Sequence, residues 1–363
     1  MLWAAPTYRQ CRIGWGELYQ AAGGIAKFNK AEMEVVVPPA SGIISFVSLD
    51  IPNNARGKTA RGVVIDEAAF VSPDAWYEVI RPMLSDCDGW ALCMGTPSGR
   101  DWFWQEHVAA ADNSDSVAWQ VPTLGVRITD TGLVREPHPM ENPDFPFSEA
   151  QQMFATMPQR TFEQEFLAQF VDDAGGVFRR VMEAATLQPA DPVAGRQYVM
   201  GVDWAKSADF TVLTVMDVGS REMVYLDRFN QIDYVVQRGR LGALAERYHV
   251  EAIIAESNSI GESIIEQLQR DGLPVRGFQT TNATKAQIVE ALTLAFEQGA
   301  IRILADPVLI GELQAYEMER LPSGMTRYSA PEGMHDDCVM SLALAWAACT
   351  MRVHVAYMPG IYN

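Results

Sequence analysis

None of the five cysteines, Cys11, Cys87, Cys93, Cys338 and Cys349, forms a C-x-x-C pair. An odd number without paired spacing excludes a disulfide framework and a zinc ribbon, and leaves most of them as buried thiols. Apolar stretches are short and broken by charge, so none approaches the roughly 20 residues that cross a bilayer. Met1-Leu2-Trp3-Ala4-Ala5-Pro6 shows no basic leader ahead of an apolar run, which argues against a signal peptide. A soluble, cytoplasmic protein with no membrane partner is therefore expected. Positive charge is also scarce: 28 Lys and Arg stand against 46 Asp and Glu, a formal charge of −18. That excludes a broad basic surface that coats nucleic acid, and confines any contact with DNA to a few local groups and to metal-bridged carboxylates. Repeats and low-complexity tracts are absent.

What is present is enough chain, 363 residues with 48% hydrophobic content, for two ordinary domains,. Gly62-Val63-Val64-Ile65 is an apolar run ending in Asp66-Glu67, and Trp90-Ala91-Leu92-Cys93-Met94 ends at Gly95-Thr96-Pro97-Ser98-Gly99. Both read as buried parallel strands delivering loops to one sheet edge, the pattern of an α/β fold. Residues 122–150, with five prolines, read as extended loop, and 148–170 regain helical spacing with Phe154, Phe162, Phe166 and Phe170 as packing residues. Asp172-Asp173-Ala174-Gly175-Gly176 breaks that pattern and divides the chain into domains 1–172 and 173–363,. The second domain opens with three closely spaced strand runs at 198–203, 211–216 and 223–226, an antiparallel meander,. A helix near 234–248, a strand 252–255 ending in Glu256, a helix over 261–270 and a final helix over 336–350 follow,.

Acidic residues stand at the ends of these elements. Asp203 ends the first strand, Glu256 ends the strand after the meander, and Asp336-Asp337 open the last helix. If the first and fourth strands are neighbours, the carboxylates converge at one edge. Hard oxygen ligands in that arrangement suit two Mg²⁺ or Mn²⁺ ions, which activate water and stabilise a leaving oxygen in phosphodiester hydrolysis. Each acid alone has a structural alternative, as a turn residue or as a helix N-cap; the combined order favours a metal site.

Gly201-Val202-Asp203, Ala255-Glu256-Ser257-Asn258 with Gly261 following, and His335-Asp336-Asp337 leading into Ser341-Leu342-Ala343-Leu344-Ala345 resemble the nuclease motifs of phage large terminase subunits. The resemblance implies an RNase H-like nuclease domain, with Asp203, Glu256 and one or both of Asp336 and Asp337 as catalytic metal ligands. Asp209 also fits the family's pattern, although its place at a hairpin start reads as structural. Lys285 recurs in similar family segments, as a DNA-backbone contact or as a solvated lysine at a helix start; His335 would orient an acid, touch phosphate or do neither.

Val63-Val64-Ile65-Asp66-Glu67-Ala68-Ala69-Phe70 resembles a Walker B strand of additional-strand P-loop ATPases, in which Asp66 would hold the Mg²⁺ of ATP and Glu67 would orient the attacking water,. The run through Thr96 resembles the terminase coupling motif, whose polar side chain senses the γ-phosphate. A phosphate cradle is not evident. Gly57-Lys58-Thr59 has Pro52 where the first glycine belongs, and it runs into the Walker B strand instead of a helix,. Ala5-Pro6-Thr7-Tyr8-Arg9-Gln10 resembles a segment that follows Walker A in the family, so the expectation is a partial ATPase domain lacking Walker A. It would bind ATP-Mg²⁺ only if the loop is supplied. Arg56 resembles an arginine that acts across a subunit boundary, or is a surface residue. The implied protein is an endonuclease that cuts concatemeric double-stranded viral DNA in a bacterial host, with a small terminase subunit and a portal as partners and an oligomer compatible with packaging. The competing readings are an inactive prophage remnant, which the incomplete ATPase half favours, and another RNase H-like enzyme such as a resolvase, which the Walker B pattern opposes.

Overall fold

Short β-branched runs alternate with longer helical stretches, and they fold as expected into an α/β architecture of parallel-cored sheets packed by helices,. A computed structural model describes residues 1–356 except 40–41, 172–175, 205–209, 259–260 and 322–324; the side chains of 261–263, 320 and 351–356 are likewise outside the described set. The chain forms two units. Unit 1 comprises Met1–Met153, Arg160–Asp173 and Arg320–Met325, and unit 2 comprises Phe154–Gln159, Ala174–Glu319 and Thr326–Asn363. The expected break at 172–176 lies, apart from Gly176, outside the described residues.

In unit 1, β1 (Leu2–Ala5), β2 (Lys27–Asn29), β3 (Glu34–Val37), β4 (Gly42–Ser48), β5 (Gly62–Ile65) and β6 (Trp90–Cys93) form one sheet of order β2-β3-β4-β1-β5-β6. The β4-β1-β5-β6 part is parallel. β5 lies between two strands and is wholly buried, as its uninterrupted Val-Val-Ile run requires,. β6 is parallel as expected but not buried: it is the sheet edge, with Trp90 53% and Leu92 40% exposed. An apolar run by itself does not distinguish a central strand from an edge. Helix α1 (Tyr8–Ala22) starts where the Thr7 side chain accepts the Gln10 N–H, and α2 (Arg81–Ser85) and α3 (Trp102–Ala109) flank β6 in sequence,. The proline-rich stretch is not all loop: β7 (Val126–Thr129) and β8 (Gly132–Arg135) pair as a hairpin within it. α4 (Phe147–Thr156) and α5 (Gln159–Glu165) make up the helical region beyond, separated at Pro158,. Phe162 stacks on Phe166, and Phe170 tilts against Phe103.

In unit 2, α6 (Val181–Ala184) and β9 (Ala185–Leu187) precede the meander β10 (Tyr198–Asp203), β11 (Thr211–Asp217) and β12 (Glu222–Phe229). Then come α7 (Tyr234–Arg247), β13 (Ala252–Glu256), α8 (Gly261–Arg270), β14 (Val275–Phe278) and α9 (Asn282–Glu297). β15 (Ile303–Leu304), α10 (Pro307–Ala315), the ribbon β16 (Glu317–Arg320) and β17 (Thr326–Ser329), and α11 (Asp337–Ala356) complete it. The central sheet has order β12-β11-β10-β13-β14, with β10 antiparallel to β11 and parallel to β13. Alternate residues of β11 serve different cores. Val212 and Met216 join the one that includes α9, α10 and α11, whereas Leu213 and Val215 join the one that includes α7 and α8,.

Helix α11 is buried on every side from Cys338 to Trp346, more completely than a single apolar face would give,. It lies directly on β10. A Cβ on Gly201 would stand 2.1 Å from the Ser341 carbonyl oxygen and 2.3 Å from the Ala345 nitrogen, so glycine is what permits this approach,. The Ser341 hydroxyl lies 3.0 Å from the Gly201 carbonyl, 3.1 Å from the Val212 carbonyl and 2.9 Å from the Thr214 hydroxyl, which pins the helix to two strands.

Candidate functional site

β10 and β13 run parallel in register, with Val202 opposite Ala255, so Asp203 and Glu256 leave the sheet side by side at its C-terminal edge. The N-terminus of α11 adds Asp336 and Asp337. Asp203, Glu256 and Asp337 are each only 8% exposed. Burial holds the Asp203 carboxyl well above the usual carboxylate range, and the negative charges of Glu256, Asp337 and Asp336, with a hydrogen bond to Glu256, push it further up,. Asp203 and Glu256 thus stand side by side, and Asp336 and Asp337 lie near enough to act on the Asp203 carboxyl.

Neighbouring groups restrain the pair on α11. The Phe210 backbone N–H donates to Asp337 Oδ2 at 3.2 Å, and His335 Nδ1 lies 3.7 Å from the same oxygen. His335 is otherwise exposed, with its ring edge-on to Phe210. Lys285 is neither a solvated lysine nor a remote cation: from α9 its Nζ donates to Asp336 Oδ2 at 2.7 Å and lies 5.7 Å from the centre of the Tyr316 ring. Tyr316 donates its hydroxyl to Asp336 Oδ2 at 3.3 Å, and burial followed by the Asp336 charge raises that hydroxyl's pKa strongly. Asp209 lies outside the described residues.

Carboxylate oxygens are the hard donors that Mg²⁺ or Mn²⁺ prefers, so the donor set fits a divalent cation. Among the described residues no three Asp, Glu, His or Cys side chains are disposed to enclose an ion. Asp336 is instead held by Lys285 and Asp337 by the Phe210 N–H.

Three further residues have no spacing that marks them in the sequence. Glu312, from α10, is 6% exposed and accepts the Cys338 N–H at 2.8 Å and the Val339 N–H at 3.4 Å. Arg228, from β12, places its guanidinium 3.3 Å from the centre of the Phe210 ring and 3.9 Å from Glu312 Oε1. Tyr316 is the third. All three lie on elements far in sequence from the acids they serve, so only folding reveals them.

In unit 1, Asp66 follows β5 and accepts the Glu67 N–H at 3.1 Å, with its pKa raised by burial. Glu67 adopts a left-handed backbone, φ 50°. Thr96 follows Gly95, whose added Cβ would lie 3.0 Å from the Glu67 Cα, so the segment after β6 passes close over the Asp66-Glu67 turn. Gly57-Lys58-Thr59 lies between a short turn at Pro52–Ala55 and β5, and enters a strand. Arg56 is exposed and pairs with Glu78 at 3.4 Å.

A five-stranded mixed sheet with acids at the ends of its central strands, crossed by an acid-bearing helix, defines unit 2 as an RNase H-like domain; residues 200–348 match the family described as the terminase RNaseH-like domain. The chain is 28% identical to the large terminase subunit of Thermus virus P23-45, over 94% of this chain and 77% of that protein. It is 29% identical to the large terminase subunit of Thermus phage G20c, over 83% of this chain and 64% of that protein. The crystal structure of the large terminase nuclease from phage G20c superposes on 48% of this chain and 98% of its own, with 28% identity and a TM-score of 0.45. The chain is similar to phage large terminase subunits, and its residues 200–348 match their RNase H-like domain.

Proposed function

We propose that this chain is a divalent-metal-dependent endodeoxyribonuclease of a viral genome-packaging terminase, and that it cuts concatemeric double-stranded DNA in the bacterial cytoplasm. The observation that carries this reading is the parallel register that sets buried Asp203 beside buried Glu256, with Asp336 and Asp337 at the start of the helix packed on the same strand, inside the region that matches the terminase RNaseH-like family. These four carboxylates would hold the metal. Mg²⁺ or Mn²⁺ bound there would supply Lewis-acid activation of water and neutralise charge on the leaving oxygen. The burial of Asp203 and Glu256 excludes bulk water from the back of the centre, and Lys285 and Tyr316 hold the Asp336 carboxylate in one orientation. His335, exposed and 3.7 Å from Asp337, would meet a phosphate of the DNA,.

In this reading residues 173–363 are the nuclease, and 1–172 a partial ATPase domain in which Asp66, Glu67 and Thr96 await a phosphate-binding loop. Gly57-Lys58-Thr59 does not provide that loop, because it opens no helix whose backbone N–H groups could cradle phosphate,. ATP turnover by this chain alone is not expected. The small terminase subunit and the portal are its proposed partners. Among the described residues, no helix is long and apolar enough to cross a membrane.

The test is cleavage of supercoiled plasmid with Mn²⁺, Mg²⁺ or EDTA, with Asp203→Ala alongside. Metal-dependent nicking that disappears in the variant is expected. Undiminished cutting by the variant would refute the site, and no cutting with any metal would leave an inactive remnant as the better reading.

A further inference from the structure

The N-terminus of α11 presents a conflict that its sequence alone does not resolve. Asp336 stands in the N-cap position: its carbonyl accepts the first helical hydrogen bond, from the Met340 N–H at 2.9 Å. An aspartate there ordinarily folds its own carboxylate back onto the N–H groups two and three residues on. Those are Cys338 and Val339, and both instead donate to Glu312 Oε2. The Asp336 carboxylate points the other way, to Lys285 and Tyr316.

We infer that Glu312 is a positioning residue: it caps α11 from a separate helix, in place of Asp336, and thereby releases the Asp336 carboxylate to the acidic centre. This rests on the nuclease reading for its functional consequence, though not for its geometry. Glu312 is built for the task. It is buried, its second oxygen Oε1 has no hydrogen-bond partner among the described residues, and the nearest cation to that oxygen is Arg228, 3.9 Å away. The Arg228 guanidinium lies on Phe210, whose backbone N–H holds Asp337. One buried carboxylate thus sets the helix end directly, and through Arg228 and Phe210 it braces the segment that holds Asp337.

Loss of Glu312 leaves two N–H groups without that acceptor, and Asp336, as the N-cap residue, is the side chain that ordinarily supplies one,. Glu312→Ala should therefore draw Asp336 off Lys285. Glu312→Gln, which keeps a carbonyl oxygen at the same reach, should not. Three measurements test this on the full chain: the Mn²⁺ concentration for half-maximal plasmid cleavage, the cleavage rate at saturating Mn²⁺, and the crystal structure of each variant. The Glu312→Ala midpoint should rise about 10-fold or more, as for other residues that orient metal ligands, while the saturated rate stays near wild type and Glu312→Gln recovers the wild-type midpoint. In the crystal, Asp336 of Glu312→Ala should accept from Cys338 or Val339. An unchanged midpoint, or an Asp336 still bonded to Lys285 in that variant, overturns the inference. If the wild-type chain cuts nothing, the nuclease reading fails, and the crystal comparison still decides whether Glu312 governs Asp336. Should Glu312→Ala not fold, Glu312→Met, which fills the volume and removes the acceptor, reads the same quantities.

Discussion

The two units each end a parallel strand in acid, yet they arrange the charge differently. In unit 1, Asp66 and Glu67 are consecutive, and Asp66 binds the backbone of its own neighbour. In unit 2, Asp203 and Glu256 come from two adjacent strands, and α11 adds two more carboxylates. Asp66 and Glu67 lie just beyond β5, on a turn in which Glu67 is left-handed, and strand register does not bring them to converge. Acids at the same level on neighbouring strands do converge. The electrostatics follow: burial raises the pKa of Asp66, whereas Asp203 is raised by burial and by the charge of three other acids.

This contrast can be broken by mutation. The largest effect expected is on cutting: Asp203→Ala or Glu256→Ala should lower metal-dependent cleavage by about 100-fold or more, while Asp66→Ala and Glu67→Ala leave it unchanged. Equal losses from both pairs in a plasmid assay would erase the distinction. Next comes the contact that brings α11 to the strand ends. Gly201→Ala forces a methyl group into the backbone of Ser341 and Ala345 and should cost about 3 kcal/mol,. Gly95→Ala meets the Glu67 backbone at 3.0 Å and also strains a backbone at φ 154°, so its loss in urea unfolding should come close to that of Gly201→Ala without exceeding it. A smaller loss from Gly201→Ala than from Gly95→Ala would mean that α11 can lift from β10.

A third prediction concerns repulsion. Asp203→Asn removes one of four crowded charges and, in EDTA, should raise the melting temperature by about 2–4 °C, the shift that ~1 kcal/mol gives in a domain of this size, even as cutting falls. A lower melting temperature would show that the charge is compensated. The smallest effect is in unit 1 and has a definite pH sign. The Glu141 carboxylate is held down to about 2, first by Arg135 and then by the His138 and Gly125 N–H groups. Its stabilising effect is present above the ordinary glutamate value of about 4.3 and is lost as the pH falls toward about 2,. The melting-temperature gap between wild type and Glu141→Gln should therefore close over that window; a gap constant with pH would refute it.

Much of this was legible beforehand, and the reasons are local. β10, β11, β12 and β13 announce themselves through β-branched and apolar runs bounded by turn residues, and the acids stand at their ends,. β7 and β8 are not legible in the sequence, because proline density around them masks two strands of four residues each. Nor is the edge position of β6, because an apolar run looks the same at an edge and at the centre. Lys285 stands out in the sequence, but its partner Asp336 is 51 residues away. Glu312 looks like any helical glutamate until its helix is packed against α11.

The sequence by itself determined the order of the elements, their α/β character and the identity of four acids, because periodicity, turn residues and strand ends are properties of neighbours along the chain. Which strands lie side by side, the close crossing of α11 over Gly201, and the assignment of Glu312 rather than Asp336 as the cap were decided only by tertiary structure. Each depends on groups brought together across more than 20 intervening residues, where burial and hydrogen-bond competition, not local propensity, select the partner.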